Sequence, residues 1–523
     1  MNTQSPSHPT HPLGESFQPP VLPEQNTIAV DTYAGRIHVE WDPQAAVTPL
    51  GQLPFFIDFL KTADLFAPWV RDCPLEYASP NAPSKVNVLG TVLLSMLSGH
   101  RRYSHITTLQ ADSVNPDLLG MTKVVSEDSV RRAFKPADED ACCAWLQSHL
   151  KRCYLPLLYE PWVLDIDTTI KTLYGRQEGA KVGYNPHKPG RPSHVYHSYF
   201  MANLRLALDV EIQPGNQTAS SFSAPGLWKF LDDLPRAAWP CFIRGDCGFG
   251  NEAMMRESEK RALPYLFKLR QSANVKRLIE QVFERRDWTP AGQGWEAVED
   301  ELRLKSWSKT RRVLVFRRPL SKQTVVAHES SDSAVQLEFP FVKLLTAQTP
   351  YEYAVLITSL PDEILSIAQH YRDRGDMENN FDELKNQWGW GGYTTQDLKR
   401  CAIAARTQAL IYNWWSLFVR LAIPQKHAEA ITSRPLLLHA VAKQTKHQGQ
   451  TKLTITSTHG KTAKVRDVLS KLSRFFSWIR SNAEQLTWEQ RWRLILSHVF
   501  RFLLNGRPLA SPCESPVMLP SPT

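Results

Sequence analysis

The 523-residue sequence predicts an α/β fold with helical flanks, on three observations. Short apolar runs of strand type alternate with helical patterns between residues 161 and 290. A series of β-like runs fills residues 291–360. Apolar residues at helical spacing dominate before 160 and again after 361. A chain this long exceeds one ordinary core, so two or three domains are expected. Composition and pattern place a disordered tail at 1–30, a mainly helical domain at 31–160 and the first part of an α/β core at 161–290. A β-rich insertion follows at 291–360, the last part of the core at 361–421, and a basic helical region at 422–523.

Hydrophobic content of 42% with 16 tryptophans marks a globular chain. No run approaches 18 apolar residues, which excludes a helical membrane span, and the N-terminus lacks the basic-then-apolar pattern of a secretory signal. The eight cysteines show no C-x-x-C spacing, so reduced thiols in the cytoplasm are expected. Net charge is +9, unevenly spread: residues 399–523 hold 19 Lys and Arg against 5 Asp and Glu, a balance of +14, which leaves 9 − 14 = −5 for the rest. A basic region on a mildly acidic body points to a polyanion partner, nucleic acid above all.

In chain order, residues 1–30 are rich in Pro, Ser, Thr and Gln and cannot bury enough apolar surface to order themselves. Arg36–Trp41 alternates like a short strand. Leu53–Val70 and Val86–Leu97 are helical, the second apolar nearly all round and hence buried. Ser126 reads as an N-cap for Glu127–Phe134, which carries Arg131 and Arg132, and Ala141–Leu157 is another helix. Arginines on helices of a compact helical domain could set one helix in a DNA groove; surface arginines on an ordinary bundle are the plain alternative.

Pro161–Ile170 is an apolar strand that carries Asp165 and Asp167, two residues apart and so facing one way. Two carboxylates on one face of an apolar strand are costly without a cation or donors. A Gly-rich basic loop, residues 175–191, follows with Lys181, His187, Lys188 and Arg191 beside the acids; it lacks the Walker lysine of a nucleotide loop. His197–Leu208 and Val210–Ile212 read as two strands, Leu227–Leu234 as a helix, and Trp239–Phe249 as a strand that ends in Asp246. Asn251–Arg261 is a helix and Leu263–Leu269 a strand. β-like runs follow at Trp295–Leu302, Arg311–Arg317, Thr324–Ala327, Val335–Leu345 and Tyr353–Thr358. Past the helix at 362–385, Cys401–Leu421 is a long apolar helix, residues 424–466 are polar and broken, and Asp467–Ile479 and Trp488–Leu504 are amphipathic helices rich in arginine.

The stretch Tyr371–Lys385 reads as a helix that begins near Asp362. At about 100° per residue, Tyr371, Arg374, Glu378 and Lys385 fall within about 60° of one another and share a face. A solvated, salt-bridged face is the ordinary reading of Arg and Glu at this spacing. The spacing Tyr-x2-Arg-x3-Glu-x6-Lys, however, resembles the third motif of the DDE transposases of bacterial insertion sequences, in the cut-and-paste group with this signature. The resemblance implies an RNase H-like catalytic core interrupted by a β-rich insertion. Glu378 would be a metal ligand, with Tyr371, Arg374 and Lys385 on phosphates of the transposon end.

The resemblance requires two upstream aspartates. Asp167, followed by Thr168-Thr169, matches the first better than Asp165, and Asp246, with Arg244 two residues before it, matches the second. Asp167, Asp246 and Glu378 would then hold two Mg²⁺ ions, with Mn²⁺ as a substitute. Lys188 and Arg191 would lie on DNA. The aromatic that relatives with a hairpin step carry before the following strand is here Ala354, between Tyr351 and Tyr353, a departure from the pattern. The implied function is cleavage at terminal inverted repeats and strand transfer into target DNA, by a homodimer at the nucleoid. A metal-dependent nuclease without strand transfer and an inactive DNA-binding derivative are the alternatives.

Overall fold

In the computed structural model, residues 27–77, 79–186, 188–217, 219–320, 351–456 and 460–509 are described. The proposed tail up to residue 26, the runs at Thr324–Ala327 and Val335–Leu345, and the last dozen residues lie outside them. Residues 1–45 and 46–523 are two separate units. The first holds an antiparallel hairpin, β1 (Ile28–Thr32) and β2 (Gly35–Val39), paired from Ile28–Val39 to Thr32–Gly35. Strand structure thus begins at Ile28, inside the segment assigned to the tail, because Gly35 at φ +113° turns the chain back on itself.

The second unit opens with β3 (Val47–Thr48) and six helices: α1 (Leu53–Thr62), α2 (Phe66–Arg71), α3 (Lys85–Leu97), α4 (Asn115–Leu118), α5 (Glu127–Ala133) and α6 (Glu139–Tyr154). The pattern at 53–70 suggested one helix; Asp64, in the left-handed conformation at φ 51°, divides it in two. Ser84, Ser126 and Asp138 cap the starts of α3, α5 and α6 by accepting from backbone N–H groups. Arg131 and Arg132 pair with Glu127 and Asp128 on their own helix.

Ten strands among the described residues form one sheet. They are β4 (Val163–Thr172), β5 (Lys181–Val182), β6 (Pro192–Met201), β7 (Leu206–Pro214), β8 (Phe242–Gly245), β9 (Tyr265–Lys268), β10 (Thr289–Gly292), β11 (Trp295–Leu302), β12 (Arg311–Pro319) and β13 (Tyr351–Thr358). Its centre runs β7-β6-β4-β8-β9, with β6 antiparallel to both neighbours and β4, β8 and β9 parallel. The turn between β6 and β7 lies at residues 202–205, with Arg205 left-handed at φ 52°. Hydropathy had set it near Asp209, because the apolar run continues unbroken through a buried turn. Helices α7 (Ala219–Asp232), α8 (Glu252–Lys260) and α9 (Ala273–Val282) join the later strands.

The β-rich stretch is not set apart from this sheet. β13 pairs antiparallel with β9, Leu356 opposite Lys268, so β10–β13 extend it sideways. The edge of β9 offers backbone donors and acceptors, and β13 satisfies them by pairing.

After β13 come α10 (Ile364–Arg372) and α11 (Gly375–Gln387), in place of the single helix expected. α12 (Leu398–Ala422) is buried all round and lies against β7: Asn413 Nδ2 donates to the Ala207 carbonyl at 2.7 Å, and its Oδ1 accepts from Ala207 N at 2.9 Å. Trp414 meets Trp69 edge-on at 5.5 Å, and Phe56 packs on Trp415 and Phe418, both at 5.3 Å. The N-terminal helices therefore share one core with α12. Residues 424–466, expected to be broken, contain α13 (Ala430–Leu437) and a hairpin of β14 (Ala442–His447) and β15 (Gln450–Ile455). Left-handed Gln448 and Gly449 make its two-residue turn. β14 also pairs with β3. α14 (Thr462–Ser481) and α15 (Trp488–Val499) complete the chain. Among the described residues no helix is long and apolar enough to cross a membrane.

Candidate active site

Asp165 and Asp167 share one face of β4, and the sheet register separates their fates. Asp165 stands beside Arg244 in the parallel pair of β4 and β8. Both its oxygens are taken by that guanidinium, Nε to Oδ1 at 2.5 Å and Nη2 to Oδ2 at 2.7 Å, and the pair is almost wholly buried. Burial raises the Asp165 carboxyl and Arg244 opposes it. Arg244 also donates to the His370 carbonyl at the end of α10. This is a structural ion pair that braces strand against helix, and removing one partner would strand a buried charge.

Asp167 lies in the middle of β4, not at its end. The parallel pairing with β8 stops at Ile166–Gly245, so beyond that point β4 has no strand neighbour on this side among the described residues. Gly245 allows the close approach: a Cβ there would stand 3.0 Å from Phe249 and 3.1 Å from Ile166. Asp246 then leaves the sheet directly, and its Oδ1 accepts from Gly248 N at 2.9 Å. Asp167 accepts from Thr168 N at 2.7 Å and from Arg374 Nη2 at 2.5 Å. Burial, with the neighbouring Asp246, raises the Asp167 carboxyl to about 7 against the opposing pull of Arg374. Two carboxylates near enough to repel thus meet where β8 ends.

The third acid reaches them through Arg374, which stands just before the first residue of α11 and is buried. Its Nη1 stands 3.3 Å from Glu378, whose side chain is 71% exposed. Arg374 therefore lies across Asp167 and Glu378 as their counter-charge, where a phosphate contact had been expected. Tyr371 is half-buried, its phenol raised by burial, and it lines a cavity of about 300 Å³ with Trp295, Phe316 and Ala354. Lys385 is half-buried; burial lowers its ammonium, and the nearby Asp167 raises it. The break at Asp373–Arg374 keeps near-helical backbone angles, φ −61° and ψ −12° at Asp373 and φ −65° and ψ −22° at Arg374.

Lys188 and Arg191 are not brought to these acids. They lie over the exposed ring of Tyr174, at 5.2 and 5.8 Å, past the end of β4. That end, Thr172, is five residues or about 17 Å of extended chain beyond Asp167. Lys181 is also on that side, and His187 lies outside the described residues. The Asp165–Arg244 pair was missed as such, although an arginine two residues before Asp246 was its signal; strand register decides it, and register is not local.

Hard carboxylate oxygens are the donors that Mg²⁺ and Mn²⁺ take, and Asp167, buried beside a second carboxylate, has the charge that such an ion relieves. Among the described residues no group of three acid, His or Cys side chains is placed to hold a metal ion.

Residues 84–477, three quarters of the chain, match the family described as transposase DDE domain group 1, and the chain belongs to that family. It is a DDE-type transposase. No curated protein sequence matches it. A solved structure with a similar arrangement is the cryo-EM structure of a piggyBac transposase synaptic complex with hairpin DNA, at 11% identity over 90% of this chain and 89% of that one, with a TM-score of 0.41.

Proposed function

We propose that this transposase cuts the inverted-repeat ends of a bacterial insertion sequence and joins them to target DNA, with Asp167, Asp246 and Glu378 as the catalytic acids. The observation that carries the reading is the meeting of Asp167 and Asp246 where β8 stops, with Arg374 linking Asp167 to Glu378. The central order β7-β6-β4-β8-β9, with only β6 reversed among β6, β4, β8 and β9, supports an RNase H-like core. The three acids would hold Mg²⁺, and such ions supply activation of the attacking oxygen and stabilisation of the leaving one. This chain's own part is to position: Arg244 holds β8 to β4, Gly248 N fixes the Asp246 carboxylate, and Arg374 holds Asp167. The excess of basic residues after 399 supports DNA as the partner, and two ends cut together favour a homodimer.

The test is the product formed by purified protein on repeat-ended DNA with Mg²⁺. Asp167→Asn, Asp246→Asn and Glu378→Gln should each lower cleavage by about two orders of magnitude or more, with repeat-end binding in a mobility-shift assay retained. Near-normal cleavage by any one of them removes that residue from the set. Cleavage without joined product would leave a nuclease. Asp165→Asn should instead lower the unfolding midpoint, since it leaves Arg244 unpaired.

A further inference from the structure

A second site lies away from the carboxylates. Between α14, α15 and the end of α12 runs a groove of about 760 Å³. Its walls carry Lys471, Arg474 and Arg501 together with Phe475, Trp478 and His498, and among the described residues no carboxylate lines it. Phe475 stacks on His498 at 4.3 Å and on Trp478 at 6.3 Å, so the aromatics form a continuous platform. Arg501 Nη1 donates to His498 Nε2 at 2.5 Å, and burial with Arg501 alongside pushes that imidazole down to about 4, so it stays a neutral acceptor at neutral pH. Lys471 pairs with exposed Asp467 at 2.7 Å; among the described residues neither Arg474 nor Arg501 has a carboxylate within ion-pair reach. Two cations without a carboxylate partner among the described residues, set beside stacked rings, suit an anionic ligand with a flat face.

We propose that this groove binds an unpaired stretch of DNA, bases against the Phe475–Trp478 platform and phosphates on Arg474, Lys471 and Arg501. Stacking on aromatics beside a cationic track is how single strands are held without sequence reading. A duplex keeps its base faces stacked inside and offers a groove only its outer phosphates, so the rings select the unpaired form. The inference rests on the chain's acting on DNA but not on the carboxylates, and its test therefore excludes metal.

The experiment is fluorescence anisotropy of a short labelled oligothymidylate and of a duplex of equal length with the full chain in EDTA, as salt is varied. Arg474→Glu, at an exposed position outside the core, should weaken single-strand binding about tenfold and flatten its log–log salt slope by about 0.7 per lost contact. Trp478→Leu should weaken the single strand while leaving duplex binding unchanged. Unaltered single-strand affinity in both variants overturns the proposal, and so does an equal loss for single strand and duplex. Self-association that Arg474→Glu abolishes, with oligonucleotide binding unchanged, would assign the groove to a second copy of the chain. Failed cleavage by the native chain would sink the catalytic reading and leave this binding result standing.

Discussion

His197 shows how strictly the core of the sheet is closed to water. It is fully buried on β6, next to Ser198, which pairs across to Asp167, and among the described residues neither ring nitrogen has a hydrogen-bond partner. Burial alone pushes its imidazole down to about 4. In the unfolded chain it takes up a proton below about 6.5. Because the folded-state value is the lower one, stability is retained above 6.5 and falls as pH drops from 6.5 through 4. For a site this buried the loss is about 3 kcal/mol. His197→Leu should shrink the fall in unfolding free energy between pH 6.5 and 4 by roughly that amount, measured by urea titration at both values; an unchanged profile would mean that the site opens to water. Arg374 illustrates the same scale with opposite chemistry. The positions of Tyr371, Arg374, Glu378 and Lys385 on one side of a helix were legible from their spacing. That the guanidinium would spend itself on Asp167, 207 residues away in sequence, was not, since no local pattern names a partner across the fold.

At the scale of elements, the break between α10 and α11 at Asp373–Arg374 is followed by Gly375, the first residue of α11, whose added Cβ would meet nothing within 4 Å. Gly375→Ala should therefore raise stability by about 0.5–1 kcal/mol, read as a higher melting temperature; a lower one would mean that the break depends on a backbone only glycine supplies. The strands β4, β8 and β9 were readable because each is a short apolar run bounded by turn residues or polar residues. Their side-by-side order and the lateral addition of β10–β13 were not. Pairing of β13 with β9 is set by which edge lies open once the fold has formed, and hydropathy gives the same β-like runs for an attached module as for an extended sheet. The polarity of residues 424–466 misled for a related reason: β14 and β15 are largely exposed, so they form through backbone pairing and a left-handed turn without an apolar stripe.

Over the whole molecule, the basic C-terminal region is built into the body. Phe59 of α1 packs on Phe476 at 6.1 Å and on Trp492 at 6.4 Å. Trp488 Nε1 donates to the Ala63 carbonyl at 3.0 Å, and Trp492 Nε1 to that of Arg152 at 2.7 Å. A chain ending at Leu421 would uncover these aromatics, each worth about 2 kcal/mol or more of burial, and should be recovered aggregated, without the sharp cooperative melting of the full chain; a soluble, folded fragment would show the region to be detachable. Loss of DNA binding on that truncation would accordingly say nothing of where DNA lies, whereas surface charge reversals keep the body intact. The pairing of β3 with β14, Thr48 opposite Ala442, also bears on how the chain is made. Nearly 400 residues leave the ribosome between these partners, which at ordinary synthesis rates is on the order of 20–80 s. For most of that interval Phe56 and Phe59 on α1 wait without Trp415 and Phe418, and for longer still without Phe476 and Trp492, so the newborn chain carries an uncovered aromatic face until its last helices emerge.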